Sequence, residues 1–215
     1  MLELAVKVLL SYLLGALLGG LIVGQLRGGV DIRTMGSGNA GGTNALRTQG
    51  AGFAIWVMLI DIGKGWIAAG VLPYIALPGI EMDATIARDW LAVACATAAV
   101  LGHVYPVWFG FRGGKGAATL VGVLIGLEPM ALPVVLAVWL VVLMITGFVG
   151  LSTMLATLSF VAYLCFSGHG SGALLTFGIG MCVLVCYTHR ANIGRMRAGT
   201  ENRATRMWLL RPRSR

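Results

Sequence analysis

The chain has 215 residues, 58% of them hydrophobic and only 11% charged, with 32 glycines and a formal net charge of +8. A soluble globular chain carries about 25% charge. Several apolar stretches here reach the roughly 20 residues that cross a bilayer as helix, so a single polytopic membrane domain over 1–215 is expected, with no separate soluble domain. Eight of the thirteen arginines lie from Arg190 onward, directly behind an apolar stretch. That placement, a basic tail over 190–215, fits anionic lipid at a cytoplasmic surface and argues against nucleic acid.

The first span is expected over 4–26. Glu3 precedes it, Lys7 lies one turn in, and no small-residue cleavage site follows, so it reads as an anchor. Gly15, Gly19, Gly20 and Gly24 give small-residue spacings that admit a close neighbouring helix. Next comes Gly36-Ser37-Gly38-Asn39-Ala40-Gly41-Gly42-Thr43-Asn44, with Arg47 just beyond. Glycines let successive N–H groups face one concavity, hydroxyl and amide side chains add neutral donors, and Arg47 adds a planar fork. The stretch reads as an anion cradle. Gly36, Gly38 and Gly41 fit the dinucleotide fingerprint in spacing alone. A membrane-length apolar run precedes them in place of a strand, so that site is rejected.

The second span, about 53–75, carries Asp61 and Lys64 within it. Their i, i+3 spacing lets them neutralise each other, as a functional pair or as a pair that only fixes packing. The third starts near Trp90 and runs through His103 into Phe111-Arg112-Gly113-Gly114-Lys115-Gly116. This is no Walker motif, because Phe109 and Gly116 stand where a glycine and a Ser or Thr belong. At the start of a short helix it still offers N–H donors and one ammonium, the alternative being a snorkelling lysine. Residues 117–127 are too short to cross upright. Spans over 130–147, 151–166 and 171–188 follow, with a turn at Gly168-His169-Gly170.

The four cysteines sit in apolar runs without His or carboxylate nearby, so they read as small core residues and no metal site is expected. About seven transmembrane helices in all place the termini on opposite sides. Arg27, Arg33, Arg47, Arg112, Lys115 and the eight tail arginines then share one face, against Lys7 and Arg88 on the other. The positive-inside rule puts the C-terminus in the cytoplasm and the N-terminus outside. The cradle, the His103–Lys115 stretch and His189–Glu201 all fall on the cytoplasmic face. His189 and Asn192 share a helix face there, among Arg190, Arg195 and Glu201. No Cys, and no Ser with an obvious His–Asp pair, marks a covalent nucleophile. Together the three segments describe a site for one or two phosphates.

These residues carry a resemblance. Gly36-Ser37-Gly38-Asn39 through Thr43-Asn44, Gly102-His103 to Pro106-Val107 with Gly113-Gly114-Lys115-Gly116, and His189-Arg190 to Asn192-Ile193 with Gly199-Thr200-Glu201 resemble the three motifs of the bacterial PlsY family. That family comprises integral-membrane acylphosphate:glycerol-3-phosphate acyltransferases. Asp61 to Lys64-Gly65 matches a further family feature, while Ala40 and Gly42 depart from it slightly. The resemblance implies transfer of a fatty acyl group from acyl phosphate to the 1-hydroxyl of sn-glycerol 3-phosphate, the first step of phospholipid synthesis. It implies lysophosphatidic acid and phosphate as products, no cofactor or metal, membrane lipids as surroundings, and functional coupling to the enzyme that forms acyl phosphate. It places the enzyme in the bacterial inner membrane. By motif, Ser37, Lys115 and Asn192 are expected at the catalytic centre. Gly38, Asn39, Gly41, Thr43, Asn44, Arg47, His103, Gly113, Gly114, His189, Arg190, Arg195 and Glu201 are expected to bind substrate or phosphate. The alternative class is a transporter or flippase for an anionic metabolite or lipid, which intramembrane Asp61 and Lys64 would suit. Against it, the anionic features gather on one face.

Overall fold

A computed structural model of the chain describes residues 1–205 and 207–210. Of the tail arginines, Arg206, Arg211, Arg213 and Arg215 therefore lie outside the described residues. The described chain is all-α and divides into two compact units, Met1–Pro129 and Met130–Arg215.

The first unit holds α1 (Leu2–Gly15), α2 (Gly19–Leu26), α3 (Gly42–Gln49), α4 (Ala51–Trp66, continued by one π-helical turn to Val71), α5 (Arg88–Val104) and α6 (Ala117–Leu127). Backbone contact brings its helices together. A Cβ at Gly15 would fall on the Ala99 carbonyl of α5, and one at Gly102 on the Tyr12 carbonyl of α1. α4 and α6 cross in the same way, because a Cβ at Gly65 would meet the Thr119 carbonyl and one at Gly122 the Ile62 carbonyl. Small residues serve as the interface since lipid gives helices little hydrophobic reason to associate.

The expected first span differs from the observed one. It breaks at Ala16–Leu18, and α1 and α2 meet at a bend of 49°. No proline causes the bend; two side chains of α4 hold it open, as described below.

The second unit holds α7 (Leu132–Thr146), α8 (Val149–Phe166), α9 (Gly172–Thr188) and α10 (Arg190–Arg197). Pro133 opens α7, where a missing N–H costs nothing, and Gly147 closes it in the left-handed region at φ 73°. Ser171 caps α9 by accepting from the Leu174 N–H at 3.2 Å. Part of the expected basic tail is itself helix, since α10 leaves α9 at a bend of 53°.

Among the described residues, four helical segments are long and apolar enough to cross a membrane: Ala51–Val71, Arg88–Phe109, Pro129–Thr146 and Val149–Phe166. The two bent pairs raise that to six, and α6 is a shorter apolar helix. The chain is a multi-pass membrane protein. One expectation is corrected: Cys165 and Cys186 are exposed on apolar helices, and only Cys95 is fully buried.

Candidate active site

The first unit's site is built at the break in the first span. A helix end leaves N–H and C=O groups without partners, and in a membrane protein they must be met internally. Asp61 Oδ1 accepts from the Gly19 N–H at 3.1 Å, which serves the start of α2. Lys64 Nζ donates to the Leu17 carbonyl at 2.8 Å, which serves the end of α1. The two side chains also pair with each other at 2.8 Å, and both are essentially buried. The third donor position of Lys64 faces His103 Nδ1 at 2.9 Å. The same Nδ1 lies 3.5 Å from Asp61 Oδ1, so the three side chains form one buried cluster. The backbone at Gly114 lies directly against Nε2, and any Cβ there would collide with it. Lys115 is the next residue, half-buried, ahead of Gly116 at φ 87° and the start of α6.

The cradle is ordered by one amide. Asn44 is buried, and its Oδ1 accepts from the Ser37 N–H at 2.9 Å and the Ser37 hydroxyl at 3.2 Å. Its Nδ2 donates to the Ile32, Met35 and Asn39 carbonyls. Gly36 at φ 57° makes this close turn possible, since a Cβ would strike Asn44 Oδ1. Ser37 is thereby presented on an exposed loop. No side chain caps α3, so its leading N–H groups at Gly42 and Thr43 are left to an outside acceptor. Thr43 and Arg47 are both exposed and one helical turn apart on α3.

A staple joins the cradle to the second motif. Asp31 accepts from the Arg33 backbone N–H and guanidinium, and Arg33 Nη1 donates to the Phe109 and Arg112 carbonyls at 3.3 and 3.1 Å. The Arg33 guanidinium holds the Asp31 carboxyl below the usual carboxylate range. Sequence reasoning missed this pair; the Asp-x-Arg spacing just before the glycine run was its available signal.

Much of the polar backbone and side-chain capacity of these segments is bonded internally. The Gly38 N–H donates to the Met35 carbonyl, the Gly113 N–H to Val104 and the Gly114 N–H to His103. Asn44 has both ends of its amide committed and organises the loop. His103 is buried beneath Gly114.

The second unit presents the third motif. His189 closes α9 and opens α10, and its Nδ1 lies 2.9 Å from the Val185 carbonyl, which fixes the ring. Asn192 is buried; its Nδ2 donates to Glu201 Oε1 at 2.7 Å. Arg195 Nε donates to Glu201 Oε2 at 2.6 Å. Glu201 thus accepts from two neighbours and holds them together. Arg190 is exposed, lies over the Tyr187 ring at 4.2 Å and donates to the Tyr187 carbonyl.

With this geometry in place, comparison with known proteins decides the family. The glycerol-3-phosphate acyltransferase family profile matches residues 5–199. The chain belongs to this family. A glycerol-3-phosphate acyltransferase of Sinorhizobium fredii is 42% identical over 193 residues, covering 90% of this chain and 88% of that one. One from Chlorobium limicola is 36% identical, covering 95% and 98%. Two crystal structures of PlsY, an integral membrane glycerol 3-phosphate acyltransferase, are similar at TM-score 0.80. The glycerol 3-phosphate form is 35% identical over 93% of this chain and 94% of that one, and the lysophosphatidic acid form 34% over 97% and 99%.

Proposed function

We propose that the chain, acting as a single transmembrane acyltransferase domain, moves a fatty acyl group from acyl phosphate to the 1-hydroxyl of sn-glycerol 3-phosphate. The products are 1-acylglycerol 3-phosphate and phosphate. The observation that carries this reading is the Arg33 staple, which ties the Ser37 cradle to the segment leading into Lys115. One end of the first unit thereby offers the uncapped start of α3, Thr43, Arg47 and Lys115 to phosphate groups. Motif resemblance adds Asn192 to Ser37 and Lys115 at the catalytic centre, with Asn39, Gly41, His189, Arg190 and Arg195 as further phosphate-binding residues. A groove of about 520 Å³ lined by Leu21, Ile22, Leu26, Val30, Arg33 and Phe109 is suited to part of the acyl chain. Membership of an acyltransferase family leaves the transporter alternative without support.

In this reading the acceptor hydroxyl oxygen attacks the acyl carbonyl carbon, the bond from that carbon to the phosphate oxygen breaks, and phosphate leaves. Lys115 balances the charge that develops on the carbonyl and leaving oxygens. The hydroxyl proton passes to a substrate phosphate, whose second pKa of about 6 suits the task at neutral pH. Ser37 is a hydrogen-bond donor. Its hydroxyl faces the Asn44 amide oxygen, which is no base, so nothing there activates it as a nucleophile.

The enzyme sits in the bacterial inner membrane, with the site at the cytoplasmic face, the N-terminus outside and coupling to the enzyme that supplies acyl phosphate. A cysteine introduced at Asp83 should be labelled from outside and one at Arg197 only from the cytoplasm; labelling of both from one side removes this orientation. The activity itself is tested with purified protein in detergent, acyl phosphate and glycerol 3-phosphate, with acyl-CoA run alongside. Product from acyl-CoA alone overturns the donor. A quench with radiolabelled acyl phosphate and no acceptor should leave no label on protein; stoichiometric label lost in Ser37→Ala makes Ser37 a covalent carrier.

A further inference from the structure

We infer that Arg203, Ala204, Trp208 and Leu209 form a C-terminal clamp whose task is to position Asn192. The family profile ends at residue 199, so this stretch lies beyond the matched motifs. It nevertheless makes a dense set of bonds within the second unit. The Ala204 N–H donates to the Gly147 carbonyl at 2.8 Å, the Leu209 N–H to Met144 at 2.9 Å, and the Trp208 indole to Ile145 at 3.0 Å. Those carbonyls belong to the last turn and cap of α7, which a helix leaves without partners. The Arg203 guanidinium lies 4.5 Å from the Phe148 ring centre and 4.0 Å from that of Trp208, filling the space between them.

Two routes lead from the clamp to Asn192. Along the chain, Glu201 stands two residues before Arg203 and accepts the Asn192 amide at 2.7 Å and Arg195 at 2.6 Å. Through the fold, the pinned Gly147–Phe148 turn leads into α8, where Gly150 packs directly on Asn192. A Cβ at Gly150 would lie 3.1 Å from Asn192 Cβ and 3.2 Å from its Nδ2. Asn192 is therefore held between the first turn of α8 and the Glu201 carboxylate, and Arg203, Ala204, Trp208 and Leu209 staple those two walls together. A tail that only anchored the protein to lipid would have no reason to bond α7 carbonyls beside the wall of this one amide.

The inference rests on the catalytic role proposed for Asn192. Trp208→Ala, Asn192→Ala and the double variant are compared in detergent with acyl phosphate and glycerol 3-phosphate, with thermal unfolding measured in parallel. Displacement of a reacting group by a fraction of an ångström to an ångström costs about ten- to a hundredfold. Trp208→Ala should therefore lower kcat about tenfold while Tm moves by no more than about 3 °C. Trp208→Phe, which keeps a ring over Arg203, should restore most of the loss. In the Asn192→Ala background, Trp208→Ala should cost nothing further, because linked residues are not additive. Wild-type kcat in folded Trp208→Ala, or losses that multiply in the double variant, overturns the clamp. Should Trp208→Ala fail to fold, Arg203→Ala is judged by the same outcomes. Wild-type activity in Asn192→Ala instead overturns the role of Asn192, and the clamp's purpose with it.

Discussion

Two buried charge networks lie in the first unit, and they are built to different ends. Glu3, Lys7 and Arg88 form one. Lys7 meets Glu3 Oε1 at 2.7 Å and the Pro73 carbonyl at 3.1 Å, while Arg88 takes both Glu3 oxygens. The Asp83 N–H completes the set, so each Glu3 oxygen has two partners. Asp61, Lys64 and His103 form the other. There Asp61 Oδ1 takes every contact, and Oδ2 is buried without a hydrogen-bond partner. The first network joins the start of α1 to the start of α5 and the connecting loop, and closes on itself. The second joins two helix ends to a histidine packed beneath Gly114, next to Lys115. A buried ion pair alone does not mark a site; what it holds in place does.

The largest expected effect lies just past the second network. Lys115→Ala should lower turnover by about a hundredfold or more, since one preorganised donor at a developing anion contributes roughly 3 kcal/mol. Folded Lys115→Ala with near-wild-type turnover would return Lys115 to a snorkelling role and reduce the second network to a packing device like the first.

The two networks can also be set against each other. Asp61→Ala leaves the Lys64 ammonium buried with only a carbonyl and an imidazole, which costs about 3–5 kcal/mol of stability. It also loosens His103 and, through Gly114, the Lys115 loop. Lys7→Ala leaves Glu3 still bonded to Arg88 and the Asp83 N–H, so the cost is about 1–3 kcal/mol. Thermal unfolding should rank the two in that order. Activity per folded molecule should fall in Asp61→Ala and stay unchanged in Lys7→Ala. Equal activity losses would mean that both networks act only through global stability.

These particulars also show what was legible in the sequence. The Asp61–Lys64 pair could be read from its i, i+3 spacing inside an apolar run. His103, 39 positions further on, could not be joined to it without the fold. The break at Ala16–Leu18 was invisible because its residues are as apolar as their neighbours and its cause sits on α4. The glycine-rich segments stand out by composition, but composition does not say which N–H groups a turn consumes. Gly38, Gly113 and Gly114 spend theirs internally, and Gly114 is small because an imidazole lies against it. Trp208 and Arg203 have the composition of a lipid anchor. Only tertiary structure shows Trp208 bonded to the end of α7 and Arg203 stacked on Phe148 and Trp208.

The smallest expected effect comes from the exposed counterpart of both networks. The Asp31 and Arg33 side chains pair at 2.8 Å with about a third of their surface open to solvent (38% and 26%), so water and salt screen them. Asp31→Asn should cost about 0.2–1 kcal/mol at neutral pH. It keeps an oxygen for the Arg33 N–H, and Arg33 keeps its bonds to Phe109 and Arg112. The pH dependence has a definite sign. The guanidinium lowers the folded-state pKa of Asp31 below its unfolded value of about 4. Its contribution is therefore complete above that unfolded value and is lost as pH falls through the lower, folded one. The stability gap between wild type and Asp31→Asn should be flat from pH 8 to about pH 5, then shrink below about pH 4 and close once the carboxylate is protonated. Thermal unfolding in detergent at several pH values, repeated at high salt, measures that gap. A gap that persists undiminished after protonation would mean that Asp31 acts through shape rather than charge. It would then belong with the buried networks, where geometry outweighs the ion pair.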